Sequence, residues 1–101
     1  MELIQLQVLV AVAEQGTLHK AAVRLSRTTI AVSVTIRRLE EEVGLTLFER
    51  SKRHEFYLTS AGEELVSYAR RLLSLQGEAL AAVEQVKVAK VCRPKSLGQA
   101  M

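Results

Sequence analysis

Apolar residues recur at three- and four-residue spacing along the opening of the chain: Leu3, Leu6, Leu9, Val10 and Ala13 fall on one face and predict a helix from Glu2 to about Glu14. Gly16 ends it by supplying a left-handed cap, and Thr17 can open the next helix, so Gln15 to Thr17 reads as a tight corner. The second helix runs from Leu18 to about Leu25 with Ala21, Ala22 and Leu25 facing inward, and its small side chains let another helix approach closely. Ser26, Arg27 and Thr28 form a short turn. The Thr28 hydroxyl is placed to cap a third helix that continues to about Val43, with Val32, Ile36, Leu39 and Val43 inward.

Gly44 stops that helix and the period changes. Leu47 and Phe48, a polar tip from Ser51 to His54, and then Phe56, Tyr57 and Leu58 predict a small hairpin between Leu45 and Thr59. Ser60 followed by Glu63 has capping-box spacing, with Thr59 as the competing cap, and opens a helix to about Val91. At 1.5 Å per residue that helix would be roughly 45 Å long, too long to pack wholly on so small a domain. Leu65, Leu72, Ala79 and Val86 recur every seven residues, with Val66, Leu73 and Leu80 in a column beside them. A stripe this wide calls for a partner helix, most simply from a second copy of the chain, and the start of the stripe is expected to fold back on the first helix while its far end does not. Gly77 within it disfavours the helix by about 1 kcal/mol relative to alanine.

These elements predict a mainly α fold: a winged helix-turn-helix with a two-stranded wing over residues 1–59, a long C-terminal linker helix for dimerisation over 60–91, and a flexible tail over 92–101. Composition adds limits. At 101 residues the chain has room for one small core and little room for an active-site cleft, and no apolar run approaches the roughly 18 residues of a membrane span. The start of the chain lacks the pattern of a secretory signal, and the single Cys92 has no second cysteine to bridge, so a cytoplasmic protein without metal or cofactor is expected.

The net charge of +3 names no partner, but its distribution changes the picture. Between Gln15 and Leu39 lie Lys20, Arg24, Arg27, Arg37 and Arg38 with no acid, then Glu40, Glu41 and Glu42, then Arg50, Lys52 and Arg53. Two basic segments separated by an acidic one form an electrostatic footprint for a polyanion, although a solvated helix face would read the same on charge alone. Subtracting the buried stripe of the third helix leaves Thr29, Ile30, Ser33, Val34 and Arg37 on its other face. Short and β-branched groups suit a helix sliding into a major groove. Ile30 and Val34 could meet thymine methyls, Thr28, Thr29 and Ser33 could hydrogen-bond bases or phosphates, and Arg37, flanked by Arg38, could reach a phosphate or base. Arg53 at the hairpin tip is placed to enter a minor groove, with Arg50, Lys52 and His54 meeting the backbone, unless Arg50 pairs instead with the Glu40 to Glu42 run.

The strings Leu18-x-x-Ala21-Ala22-x-x-Leu25, Ala31-Val32-Ser33-x-x-Ile36-x-x-Leu39-Glu40, Leu47-Phe48-x-Arg50 and Leu58-Thr59-x-Ala61-Gly62 carry a resemblance. Residues 2 to about 88 resemble the N-terminal region of LysR-type transcriptional regulators of bacteria. The resemblance implies a homodimer or tetramer with paired linker helices, recognition helices in successive major grooves, wings in the minor groove, and an interrupted dyad in promoter DNA as target. It also implies a two-lobed effector domain beyond the linker helix, at the point where this chain, an excised domain or a natural short protein, stops. The turn departs from the family pattern. Arg27, Thr28, Thr29 and Ile30 replace an apolar residue followed by Ser-Gln-Pro or Ser-Gln-Ser, so the base-reading glutamine becomes Thr29, and Arg27 could lay its stem on the core with its head toward a phosphate. The stretch from Arg50 to Leu58 is one residue longer than the common pattern.

Other classes fit less well. An enzyme is disfavoured because His19 and His54 fall in separate elements, no aspartate exists, and neither a Gly-rich phosphate loop nor metal-ligand spacing is present. A pure protein-interaction module would explain the striped helix, whose candidate contacts are Leu65, Leu72, Leu73, Ala79, Leu80, Val83 and Val86, but not the basic face and wing. RNA binding is disfavoured because A-form RNA closes its major groove to a helix, and Phe48, Phe56, Tyr57 and Tyr68 are explained as core or strand residues.

Overall fold

In the computed structural model the chain forms α1 (Leu3–Gln15), α2 (Leu18–Leu25), α3 (Thr29–Val43), β1 (Phe48–Arg50), β2 (Phe56–Leu58) and α4 (Ser60–Cys92). The structure describes residues 1–92, with side chains through residue 88, so the tail expected beyond Cys92 lies outside the described residues.

The middle of α1 is buried on nearly every side: Leu6 and the unbroken run Val8, Leu9, Val10, Ala11 and Val12 are all in the core. The cause is position, since α2, α3, α4 and β2 all pack against α1. A single-face stripe captures Leu6, Leu9 and Val10 but not the other three. Leu3, expected inward, is exposed together with its neighbour Ile4.

The corner after α1 forms as its residues require. Gly16 takes a left-handed φ of 82° and returns its N–H to Val12 O, and the Thr17 hydroxyl accepts the Lys20 N–H at 3.1 Å. Ala21 and Ala22 are buried, so α2 can lie close on α1. Ser26 ends α2 in the left-handed region, and the Arg27 N–H closes the turn on Ala22 O at 2.9 Å. Thr28 caps α3, accepting the Ala31 N–H at 3.0 Å. Val32, Ile36 and Leu39 are buried as the spacing predicts, whereas Val43 is exposed because the last turn of α3 runs past the core before Gly44 turns the chain away.

The hairpin is shorter than the Leu45 to Thr59 stretch predicted for it. Only three residues pair on each antiparallel strand, with Phe48 opposite Leu58 and Arg50 opposite Phe56. Phe48 and Phe56 meet edge to face at 5.7 Å beneath the sheet. The hairpin is tied at three places, near the tip end of β2 by Phe56 and at its base by the other two. The Phe56 N–H donates to Gly16 O at 2.8 Å, Leu47 and Phe48 donate to the Glu40 carboxylate, and the Thr59 N–H donates to Leu47 O at 3.0 Å.

Thr59 rather than Ser60 caps α4. Its hydroxyl accepts the Gly62 N–H at 3.1 Å and donates to Thr46 O at 2.7 Å, a pair of bonds that Ser60, one residue inside the helix, does not make. Gly62 lies so close to the chain before β1 that a Cβ there would sit 2.1 Å from Leu47 O. The first turns of α4 then cover α1 through Val66 and Ala69, with Ala61, Leu65 and Leu73 half-buried beside them. From Ser74 to Val88 every side chain of α4 is exposed, so its second half projects free of the domain. Among the described residues no helix is long and apolar enough to cross a membrane.

Candidate nucleic-acid interface

The face of α3 opposite its buried stripe carries the candidate reading residues. Thr28, Thr29, Ile30, Arg37 and Arg38 are exposed, and Ser33 and Val34 are half-buried on the flanks. Ile30 is 76% exposed, an isoleucine held in water at the N-terminal end of the helix beside two threonines. Burial of its side chain against a partner would gain roughly 1.5–3 kcal/mol. Thr28 already accepts the Ala31 N–H and keeps its own hydroxyl proton for a partner. Thr35, on the flank, donates instead to Ala31 O at 2.8 Å. Arg27 is exposed.

Charge is partitioned among these groups. Arg24 in α2 is occupied by Glu14 at the end of α1, 2.6 Å away, and Arg70 from α4 reaches the other oxygen of the same carboxylate at 3.3 Å. The Arg24 hydrogen bond, aided by the charges of both arginines and opposed by partial burial, holds the Glu14 carboxyl below the ordinary carboxylate range. Arg24 thus belongs to a clasp joining α1, α2 and α4. Among the described residues, Lys20, Arg27, Arg37, Arg38, Lys52 and Arg53 stand exposed with no ion-pair partner.

Arg50 does not pair with the acidic run. Its guanidinium lies 4.9 Å from the centroid of the Phe56 ring, while Glu40 is engaged by backbone amides and Glu42 by the N-terminal ammonium. Arg50 remains exposed beside the ring. Between α3 and the hairpin opens a cleft of about 80 Å³, lined by Ser33, Ile36, Arg37 and Glu40 on one side and by Phe48 and Arg50 on the other.

The hairpin tip is an ordered turn. The Ser51 hydroxyl accepts the N–H groups of Arg53 and Glu55, each at 3.2 Å, and His54 adopts a left-handed φ of 63°. Lys52, Arg53 and His54 project from it exposed. Tyr57 on β2 donates its hydroxyl to Glu55 at 2.8 Å, a bond to a carboxylate that raises the tyrosine pKa.

The candidate residues therefore fall into two clusters of one domain, the outer face of α3 and the tip of the hairpin beyond it. The stripe residues of α4 divide. Leu65 and Leu73 are half-buried on the chain's own core and need no partner for that burial, whereas Leu72, Ala79, Leu80, Val83 and Val86 are exposed, Leu80 by 63%. Sequence reasoning missed Glu40 as an acceptor of strand amides and Glu14 as a clasp. For Glu40 the only available signal was an acid at the buried edge of α3, next to Leu39.

Residues 3–63 match the family model described as "Bacterial regulatory helix-turn-helix protein, lysR family". The chain is 45% identical over 80 residues to the HTH-type transcriptional regulator AlsR of Bacillus subtilis (strain 168), covering 79% of this chain and 26% of that protein. To the HTH-type transcriptional regulator PecT of Dickeya dadantii (strain 3937) it is 40% identical over 83 residues, covering 82% and 26%. It thus spans about a quarter of the length of the curated relatives it matches. Among solved structures, the BenM DBD in complex with catB site 1 DNA superposes with a TM-score of 0.82 at 34% identity, covering 86% of this chain and 97% of that one. The CbnR DBD in complex with DNA gives 0.80 at 34% identity, covering 86% and 99%. Family model, relatives and superposed structures agree with the helix-turn-helix and wing built up above, and the chain belongs to the lysR family of bacterial regulatory helix-turn-helix proteins.

Proposed function

We propose that the chain is the sequence-reading part of a bacterial transcriptional regulator: it binds double-stranded DNA at a promoter dyad, with α3 in the major groove and the hairpin as a wing in the adjacent minor groove. The observation that carries this reading is the exposed face of α3, where Ile30, Thr29 and Ser33 offer a methyl-binding surface beside hydroxyls while Arg37 and Arg38 stand one to two turns on. Two structures whose whole length the chain nearly matches are complexes with DNA. The wing contributes Lys52 and Arg53, and a narrow A·T-rich minor groove concentrates the negative potential that draws such an arginine.

The free half of α4 supplies the second part of the proposal. Leu72, Ala79, Leu80, Val83 and Val86 pair with the same helix of a second copy, making a homodimer that presents two α3 helices to the two halves of a dyad, and larger assemblies such as a tetramer arise in a longer form of the protein. Such a regulator works in the cytoplasm and reads DNA without a cofactor. Selection of bound duplexes from a random pool, followed by footprinting, tests the whole reading. The expected result is a symmetric site with protection in major grooves on one face of the duplex. A pool that never enriches a site, with a stable dimer in sedimentation, would make the chain an interaction module instead.

A further inference from the structure

A two-stranded hairpin with three residues per strand has little stability of its own, so its tip points where its ties to the surrounding elements send it. Of those ties, Gly16 belongs to the α1–α2 corner and Thr59 to the start of α4. Glu40 is the one among them that belongs to α3. Its carboxylate, on the same side of the helix as Ser33 and Arg37 in the cleft between helix and wing, accepts the Leu47 N–H at 2.8 Å and the Phe48 N–H at 3.3 Å. The Leu47 bond carries most of the grip: it has the length of a bond to a carboxylate, about twice as strong as a neutral one, while the longer Phe48 contact is weaker. From Phe48 the strand leads through Arg50 straight to the Ser51–Arg53 tip.

We infer that Glu40 is a positioning residue for the wing: by gripping Leu47 and Phe48, at the entry to β1, from the recognition helix itself, it fixes the distance between the α3 reading face and Arg53, so that both grooves are engaged in one register. This inference rests on the DNA-reading function proposed above. Glu40 touches no DNA; it acts through the strand.

Two substitutions separate reach from charge. Glu40→Asp keeps the charge and draws the carboxylate back by one methylene, while Glu40→Gln keeps the reach and an acceptor oxygen but removes the charge. Binding is measured by fluorescence anisotropy on duplexes that share the selected core but carry A·T-rich or G·C-rich flanks. Glu40→Asp loses most of the wild-type preference for A·T flanks while its discrimination at the core bases persists, Glu40→Gln keeps most of that preference, and in an Arg53→Ala background Glu40→Asp changes flank preference no further. Without DNA, the Leu47 and Phe48 amides of Glu40→Asp exchange at least about tenfold faster than in the wild type. Glu40→Ala, with better helix propensity, provides a second variant for the same readouts should the aspartate weaken α3. Unchanged flank preference in both Glu40→Asp and Glu40→Ala, or unchanged exchange at the two amides, overturns the inference. So does a Glu40→Gln protein that binds all sequences uniformly more tightly while Glu40→Asp behaves as wild type, because that is the signature of a charge near phosphates. A wild type that shows no sequence preference refutes the DNA-reading proposal instead, and amide exchange then decides alone whether Glu40 holds the wing.

Discussion

Two glycines in α4 meet opposite surroundings, and the difference is measurable. At Gly62 an added Cβ would lie 2.1 Å from the Leu47 carbonyl oxygen, a backbone atom that cannot swing away, and 2.9 Å from Leu58. At Gly77 nothing lies within 4 Å. Gly62→Ala is therefore expected to lower stability by about 1–3 kcal/mol through overpacking, whereas Gly77→Ala raises it by up to about 1 kcal/mol through helix propensity, both read from thermal unfolding. The Glu14 clasp gives a residue-scale prediction with a pH signature. Because pairing with Arg24 and Arg70 lowers its folded-state pKa, its contribution is complete above its ordinary value of 4.5 and disappears as pH falls through the lowered one. With the side chain 36% exposed, Glu14→Gln is expected to destabilise by less than about 1 kcal/mol at pH 7. The gap between the two unfolding curves should close in acid; a gap that widened there would contradict the clasp.

At the scale of elements, the exposed face of α3 separates reading from folding. Ile30→Ala removes a side chain that the free protein leaves in water, so unfolding should be unchanged while preference at one base position shifts by roughly 1–3 kcal/mol in a binding titration across single-base variants. A stability loss without a specificity change would mean that the face is misassigned. How far each element was legible follows from how local its determinants are. Thr17, Thr28 and Gly44 announce the limits of α2 and α3 because a cap involves only neighbours in the chain. The buried residues Val8, Ala11 and Val12 were hidden, since burial on all sides of α1 is created by elements that arrive later. Leu3 and Val43 have apolar spacing but lie in terminal turns that extend past the packed region, which periodicity cannot detect. The choice of Thr59 over Ser60 depended on Thr46 O being within reach, and the role of Glu40 on two strand amides seven and eight residues away. Both are tertiary facts without a local signature.

At the scale of the whole molecule, α4 carries a domain at one end and an unpaired apolar stripe at the other. Replacing Leu72 or Leu80 by arginine is expected to convert a dimer to a monomer in sedimentation and to abolish binding to the full dyad, while each domain stays folded because neither side chain belongs to the domain core. A dimer that survives both substitutions would place the interface elsewhere. The claim that ties the scales together is that a dimer reads a symmetric duplex site through exposed cations and the α3 face. Its most direct test is an anisotropy titration of the selected dyad and of a scrambled duplex over several salt concentrations. The account predicts log affinity falling with log salt at about −0.9 per neutralised phosphate on both duplexes, with the dyad bound more tightly at every salt concentration. Equal affinity for dyad and scrambled duplex, or binding indifferent to salt, would contradict it.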